Sequence, residues 1–224
     1  MTVVPLSTSF APHRPFAYVG GDPAIDLVNS ADWTARGPAE DRLTDFARLV
    51  EWSAGTEALA PRMAQRLLDL AADDARAAQG VHRDALRLRW VLRRLFGRVA
   101  SGEGIAGTAP LAELNQRVSR ALGQLELAPP PKRGAPRGSP RPVALWSWRD
   151  AGERLDSVLW PVIRSAAELL VSDEADRIRE CGGSDCGWLY VDRSRNGFRR
   201  WCQMETCGTR EKSRQRALRR ATQR

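Results

Sequence analysis

The sequence predicts a mainly α-helical protein with a small stapled unit at its C-terminal end, and three observations carry that prediction. Apolar residues recur at helical spacing from Asp22 to Val171. All four cysteines, Cys181, Cys186, Cys202 and Cys207, fall in one segment as C-x4-C, a basic loop, then C-x4-C. Charge is as uneven as the cysteines. Residues 1–176 hold 22 basic and 22 acidic side chains, whereas residues 177–224 hold 13 basic and 5 acidic, so the whole formal +8 sits in the last fifth of the chain.

Taken in order, Asp22 followed by Pro23 is a cap and first-turn pair opening a short helix through Asn29. Thr44 is the expected cap of the next helix, with Phe46, Leu49, Val50 and Ser53 on one side and Gly55 at its end. Pro61 opens a third helix to about Gln79, in which Met63, Leu67, Leu70, Ala71 and Ala75 keep helical spacing. The fourth, 81–100, buries Ala85, Leu88, Leu92, Leu95, Phe96 and Val99; its Arg83, Arg87, Arg94 and Arg98 read as a solvated face. Helix five covers 109–125 and helix six 151–171, bent at Pro161. Between them the proline-rich stretch 129–142 is an exposed loop. The VALWSW that follows alternates like a strand, and Leu125–Leu127 is the nearest partner for a small ribbon beside the bundle. Two domains result, a helical one at 1–172 and a small one at 177–224, with the hinge at 172–176.

Two short Cys-to-Cys loops can each clip one edge of a tetrahedral metal site, and four thiolates leave no ligand position open for catalysis. The pattern reads as one structural Zn²⁺ held by Cys181, Cys186, Cys202 and Cys207. The bland alternatives are two disulfides or four unrelated buried thiols. Disulfides need an oxidising compartment, and residues 1–16 lack a charged start followed by an apolar stretch. Such ions contribute about 10 to 16 kcal/mol to folding, so the tail is expected to be disordered without its metal.

Trp188 to Val191 is a β-prone run, and Asn196-Gly197 a turn signal, which together predict a hairpin over 188–202. A helix from about 208 to 221 follows, carrying cations around most of its circumference, so it cannot be a core helix. This basic tail is an electrostatic match for a polyanion, and arginine forks suit phosphates and guanine edges. The expected DNA contacts are Arg210, Lys212, Arg214 and Arg216 on the helix, with Arg193, Arg195, Arg199 and Arg200 gripping the backbone. Trp201, beside a ligand cysteine, is expected to pack against the metal site, not to stack on a base.

Catalytic signals fail on context. GEGIAG at 102–107 fits a dinucleotide-loop pattern but follows a helix, not a strand. His13 and His82 are isolated, and no recognised catalytic motif occurs, so no enzyme activity is expected. Asp26 and Asn29 share one face of the first helix and are candidates for a ligand pocket; buried hydrogen bonds tying that helix to the bundle are the preferred reading. At 42% hydrophobic residues, with no apolar run near the roughly 20 residues of a membrane span, a soluble cytoplasmic, nucleoid-associated protein is expected.

The tail resembles the CGNR zinc finger, which bears two cysteine pairs, a D-x-S motif, an R-R-W-C motif and a C-G-N-R-x-K signature. Asp192, Ser194, Arg199, Arg200, Trp201, Cys202, Cys207, Gly208, Arg210 and Lys212 carry the likeness. Upstream, AIDLVNS at 24–30, RDALR at 83–87, LAELN at 111–115 and AAELL at 166–170 resemble motifs of the helical ABATE domain that precedes such fingers. The resemblance implies a bacterial transcription regulator, some relatives being linked to stress responses, with a helical domain that senses an effector or partner or forms a homodimer. The signature asparagine is Thr209 here, which can cap the helix that follows but cannot make a bidentate adenine contact; the capping role is preferred. Two other classes fit the same residues: a zinc-stapled protein-interaction module, and an RNA-binding protein. A redox switch that ejects zinc is a further alternative.

Overall fold

The computed structural model describes residues 15–34, 36–130 and 142–222. His13, the reading of the N-terminal stretch before Pro15, and most of the proline-rich loop lie outside the described residues.

The chain opens as its cap predicts. Asp22 is extended, and its carboxylate accepts the Ala24 N–H at 2.8 Å, starting α1 (Pro23–Val28). This short helix is buried on every side, from Ala24 to Val28. An unforeseen hairpin follows, β1 (Ala31–Thr34) against β2 (Gly37–Asp41), closed at Gly37 with φ of 113°. The Trp33 indole N–H donates back to the Val28 carbonyl at 2.6 Å and fixes the hairpin to α1.

α2 (Phe46–Gly55) is capped by Asp45, not by Thr44: the Asp45 carboxylate accepts the Arg48 N–H at 2.9 Å, while the Thr44 hydroxyl only donates to Asp45. Gly55 does end this helix, for a packing reason. A Cβ there would lie 2.0 Å from the Tyr18 hydroxyl, which donates to the Trp52 carbonyl.

α3 (Pro61–Asp73) stops six residues earlier than the apolar spacing predicts, because Asp74 leaves helical geometry and caps α4 (Ala75–Ala100) through Ala77 N–H. Gly80, which falls between the two helices expected from sequence, lies inside α4. α5 (Ala109–Leu122) is followed by β3 (Leu125–Ala128), which pairs antiparallel with β4 (Leu145–Trp148) in the expected ribbon, Leu127 opposite Trp146. Pro161 does not bend the sixth helix. A 3₁₀ turn at Leu155–Leu159 leads into α6 (Trp160–Val171), whose first turn tolerates the proline because its N–H would have no partner there.

The core centres on α4, where Leu88, Leu92, Leu95 and Phe96 are fully buried, and it continues without interruption into the C-terminal segment. There β5 (Ile178–Glu180) pairs with β6 (Leu189–Val191), Ile178 opposite Val191, and Ile178, Leu189 and Val191 join the same core. The predicted 188–202 hairpin is therefore replaced: the Trp188–Val191 strand pairs backward, because its apolar side chains find the helical core on that side. The chain ends in α7 (Thr209–Thr222). No helix among the described residues is long and apolar enough to cross a membrane.

Candidate metal centre and basic surface

The first cysteine pair sits at the tip of the β5–β6 hairpin. Cys181 N–H donates to the Trp188 carbonyl at 2.9 Å, and Cys186 N–H to Gly183 at 3.2 Å. Gly183 leaves room for this turn, since a Cβ would press to 3.3 Å on Cys186 and 3.5 Å on the Cys207 sulfur. The second pair is brought in by the Gly182 N–H, which donates to the Arg200 carbonyl at 2.8 Å, and by a π-helical turn at Met204–Gly208 that carries Cys207.

All four sulfurs lie within 4.8 Å of one another. The Cys186–Cys202 and Cys202–Cys207 separations are 3.9 and 3.6 Å. A tetrahedron with Zn–S bonds of about 2.3 Å has edges of about 3.8 Å, so this donor set fits one zinc ion with little movement. Cys181, Cys202 and Cys207 are buried and Cys186 half-buried, and all four are free thiols. Their mutual hydrogen bonds draw the Cys181 thiol far down, and the same bonds push Cys186 and Cys202 up. A divalent cation favours the thiolate form of its cysteine ligands, so metal binding and ionisation go together here. The site is closed, with four protein ligands and no free position, which makes zinc a structural cofactor here.

Around this centre the expected cations divide into two groups. Arg199 is a structural strut. Its guanidinium donates to the carbonyls of Trp201 (3.1 Å), Val19 (3.0 Å) and Cys202 (2.5 Å), and lies 4.3 Å from the Tyr190 ring centroid. Arg193 grips Glu174 with two bonds of 2.5 and 2.6 Å and donates to the Gly21 carbonyl. Both were expected to hold a DNA backbone; in the structure both hold the two halves of the chain together. Arg214 pairs with Glu211 on α7 at 2.8 Å. Arg195, Arg200, Arg210, Lys212 and Arg216 remain exposed, and among the described residues none has an acidic partner within ion-pair distance. From Lys212 to Thr222 every residue of α7 is exposed, so the helix projects as a cationic arm.

Thr209 corrects the capping expectation. It is already helical (φ −66°, ψ −43°), and its hydroxyl donates to the Met204 carbonyl at 3.0 Å. The helical path has begun one turn earlier, at Met204, with Gln203 as the extended residue before it, so no cap is needed at 209. Trp201 is half-buried beside the centre, with Gly208 and the Arg200 guanidinium against it, 5.3 Å from ring centroid to the latter.

Asp26 and Asn29 are brought to a seam instead of a cavity. Asp26, 7% exposed, accepts the Gly20 N–H at 2.8 Å. Asn29, 1% exposed, bonds both polar groups of Leu189 in β6. Asn29 therefore ties the end of α1 to the cysteine-bearing hairpin, while Asp26 holds the Gly20 segment that precedes the helix. Val191 N–H adds a bond to Gly20 (2.8 Å) and Gly187 N–H one to Trp33 (2.8 Å). The supposed hinge at 172–176 is likewise a fastened turn: Arg177 N–H donates to Glu174, and Glu174 holds Arg193.

Sequence reasoning missed the loop that Asp192 organises. Asp192, 2% exposed, accepts from the Ser194 N–H (2.9 Å), the Ser194 hydroxyl (2.6 Å) and the Arg199 N–H (3.1 Å), and Ser194 Oγ accepts the Phe198 N–H at 3.1 Å. The D-x-S pattern was the available signal, since an aspartate two residues before a serine commonly closes such turns.

Comparison with known families gives two matches. A family model described as "CGNR zinc finger" covers residues 177–220. A second, ABATE, described as "Putative stress-induced transcription regulator", covers residues 21–173. No curated protein matches the chain.

Proposed function

The chain belongs to the ABATE family and carries a C-terminal CGNR zinc finger; from that premise we propose that it is a transcription regulator that binds duplex DNA through the finger. The observation that carries this reading is the bare cationic arm. Arg210, Lys212, Arg216, Arg219 and Arg220 leave one rigid base, the metal centre, and are neutralised by no acid among the described residues. Cations held this way release counterions from a phosphate backbone at little ordering cost, because the helix that presents them is already formed.

Zinc, when bound to the four cysteines, supplies cross-linking and charge neutralisation only. It fixes Cys207, and so the first turn of α7, against a hairpin that shares the core of the helical part. A cavity of about 590 Å³ between the β1–β2 hairpin and the metal centre, lined by Trp33, Glu40, Arg42, Asp185, Trp188 and Arg210, is where a small effector would touch both halves at once.

Fluorescence anisotropy with labelled duplex DNA tests the proposal. Affinity falls steeply with salt, by about 0.9 in log–log slope per phosphate contact, and is lost in Cys207→Ser. A flat salt response removes the reading. Preference for structured RNA in competition, or a protein partner retained after nuclease, points to the RNA-binding or protein-interaction class.

A further inference from the structure

Phe198 is 78% exposed, at the tip of the loop that Asp192 closes. The backbone that carries it is held. Phe198 N–H is fixed by Ser194 Oγ, Gly197 takes φ of 66° with its N–H on the Ser194 carbonyl, and the Tyr190 hydroxyl donates to the next carbonyl, that of Arg199, at 2.6 Å. The ring is thus presented to water by a built support.

Its surroundings are also specific. Phe198 and Met204, itself 46% exposed, border one cavity of about 490 Å³ with Arg200, Trp201 and Glu205. Met204 begins the helical path that becomes α7, so the aromatic tip and the cationic arm spring from adjacent points. The exposed apolar area here is two side chains in a cationic field, which is too little for the apolar centre of a protein interface. It matches the pattern by which DNA-binding proteins insert an apolar side chain between base steps while arginine and lysine hold the flanking phosphates.

We propose that Phe198 is a base-step wedge: with α7, Arg195 and Arg200 on the backbone, its ring enters between adjacent base pairs, unstacks them and kinks the duplex. Met204 borders the same cavity as the ring and adds apolar surface beside it. The inference rests on the DNA-binding reading above and adds its mode. Burial of one phenyl ring contributes about ten- to a hundredfold in affinity.

The test uses the full zinc-loaded chain and a duplex carrying 2-aminopurine, whose fluorescence rises on unstacking, with an end-to-end energy-transfer pair reporting bend. Wild type raises both signals. Phe198→Ala keeps zinc content, melting temperature and salt slope, binds about ten- to a hundredfold more weakly, and loses both signals, whereas Phe198→Leu retains a large part of each. Phe198→Ala that binds and bends like wild type overturns the wedge alone. Wild type without salt-dependent duplex binding overturns the DNA reading, and the wedge with it.

Discussion

Asn29 pairs its whole carboxamide with the backbone of Leu189: Nδ2 donates to the Leu189 carbonyl at 2.8 Å and Oδ1 accepts the Leu189 N–H at 3.0 Å. The two residues lie 160 positions apart and both are buried. The side chain that caps α1 thus acts as an extra strand residue beside β6, and it satisfies backbone groups that no third strand covers among the described residues.

Asn29→Ala orphans a buried donor and a buried acceptor, and is expected to cost about 2 to 5 kcal/mol. Asn29→Asp keeps an acceptor but adds an unpaired buried charge, and does no better. Urea denaturation checks both, and in wild type the helical part and the β5–β6 hairpin are expected to unfold in one transition.

Burial pushes the Asp26 carboxyl up to about 7; the Gly20 N–H opposes this and the Asp22 charge adds to it. In the unfolded chain the group titrates near about 3.9, so between these values the folded state holds the extra proton. Stability is therefore fully present at the acidic end and falls as pH climbs through about 7. Asp26→Asn, which keeps the acceptor for Gly20, is expected to remove a decline of about 2 to 3 kcal/mol between about pH 5 and pH 8. Denaturation of both proteins at the two pH values reads the difference.

Arg199→Ala and Lys212→Ala are expected to separate structure from binding. The first leaves three carbonyls without their charged donor and lowers stability by about 2 to 4 kcal/mol. The second leaves the melting temperature unchanged and reduces the salt slope of DNA binding by about 1.

Chelation or Cys207→Ser is expected to remove one zinc per chain, read by elemental analysis. Hydrogen exchange then shows protection lost from about Trp201 onward, while α1 and the β5–β6 hairpin stay protected. Loss across both regions together would contradict this.

What the sequence disclosed follows the reach of each signal. Local chemistry was legible: the Asp22–Pro23 start and the cysteine spacing are set by neighbours in the chain, and the β3–β4 ribbon by the nearest apolar run. The choice between competing partners was not. Nothing near Trp188–Val191 tells that its partner is Ile178–Glu180 and not 198–202, because both choices satisfy the same alternation and only the helical core decides. Arginine contacts within the chain were not legible for the same reason. Arg199 and Lys212 are equal in composition-level charge, yet one is consumed by carbonyls from Val19 to Cys202 and the other faces water. The α3–α4 break was misplaced because Asp74 and Gly80 both read as punctuation, and the aspartate won by capping.

The four thiols are not equivalent in what they are anchored to. Cys181 and Cys186 belong to a hairpin already welded into the body of the protein, whereas Cys202 and Cys207 lead straight into α7. A metal on these four thiols couples frame to lever: on the DNA-binding proposal, its loss is expected to leave the frame intact and to release the lever.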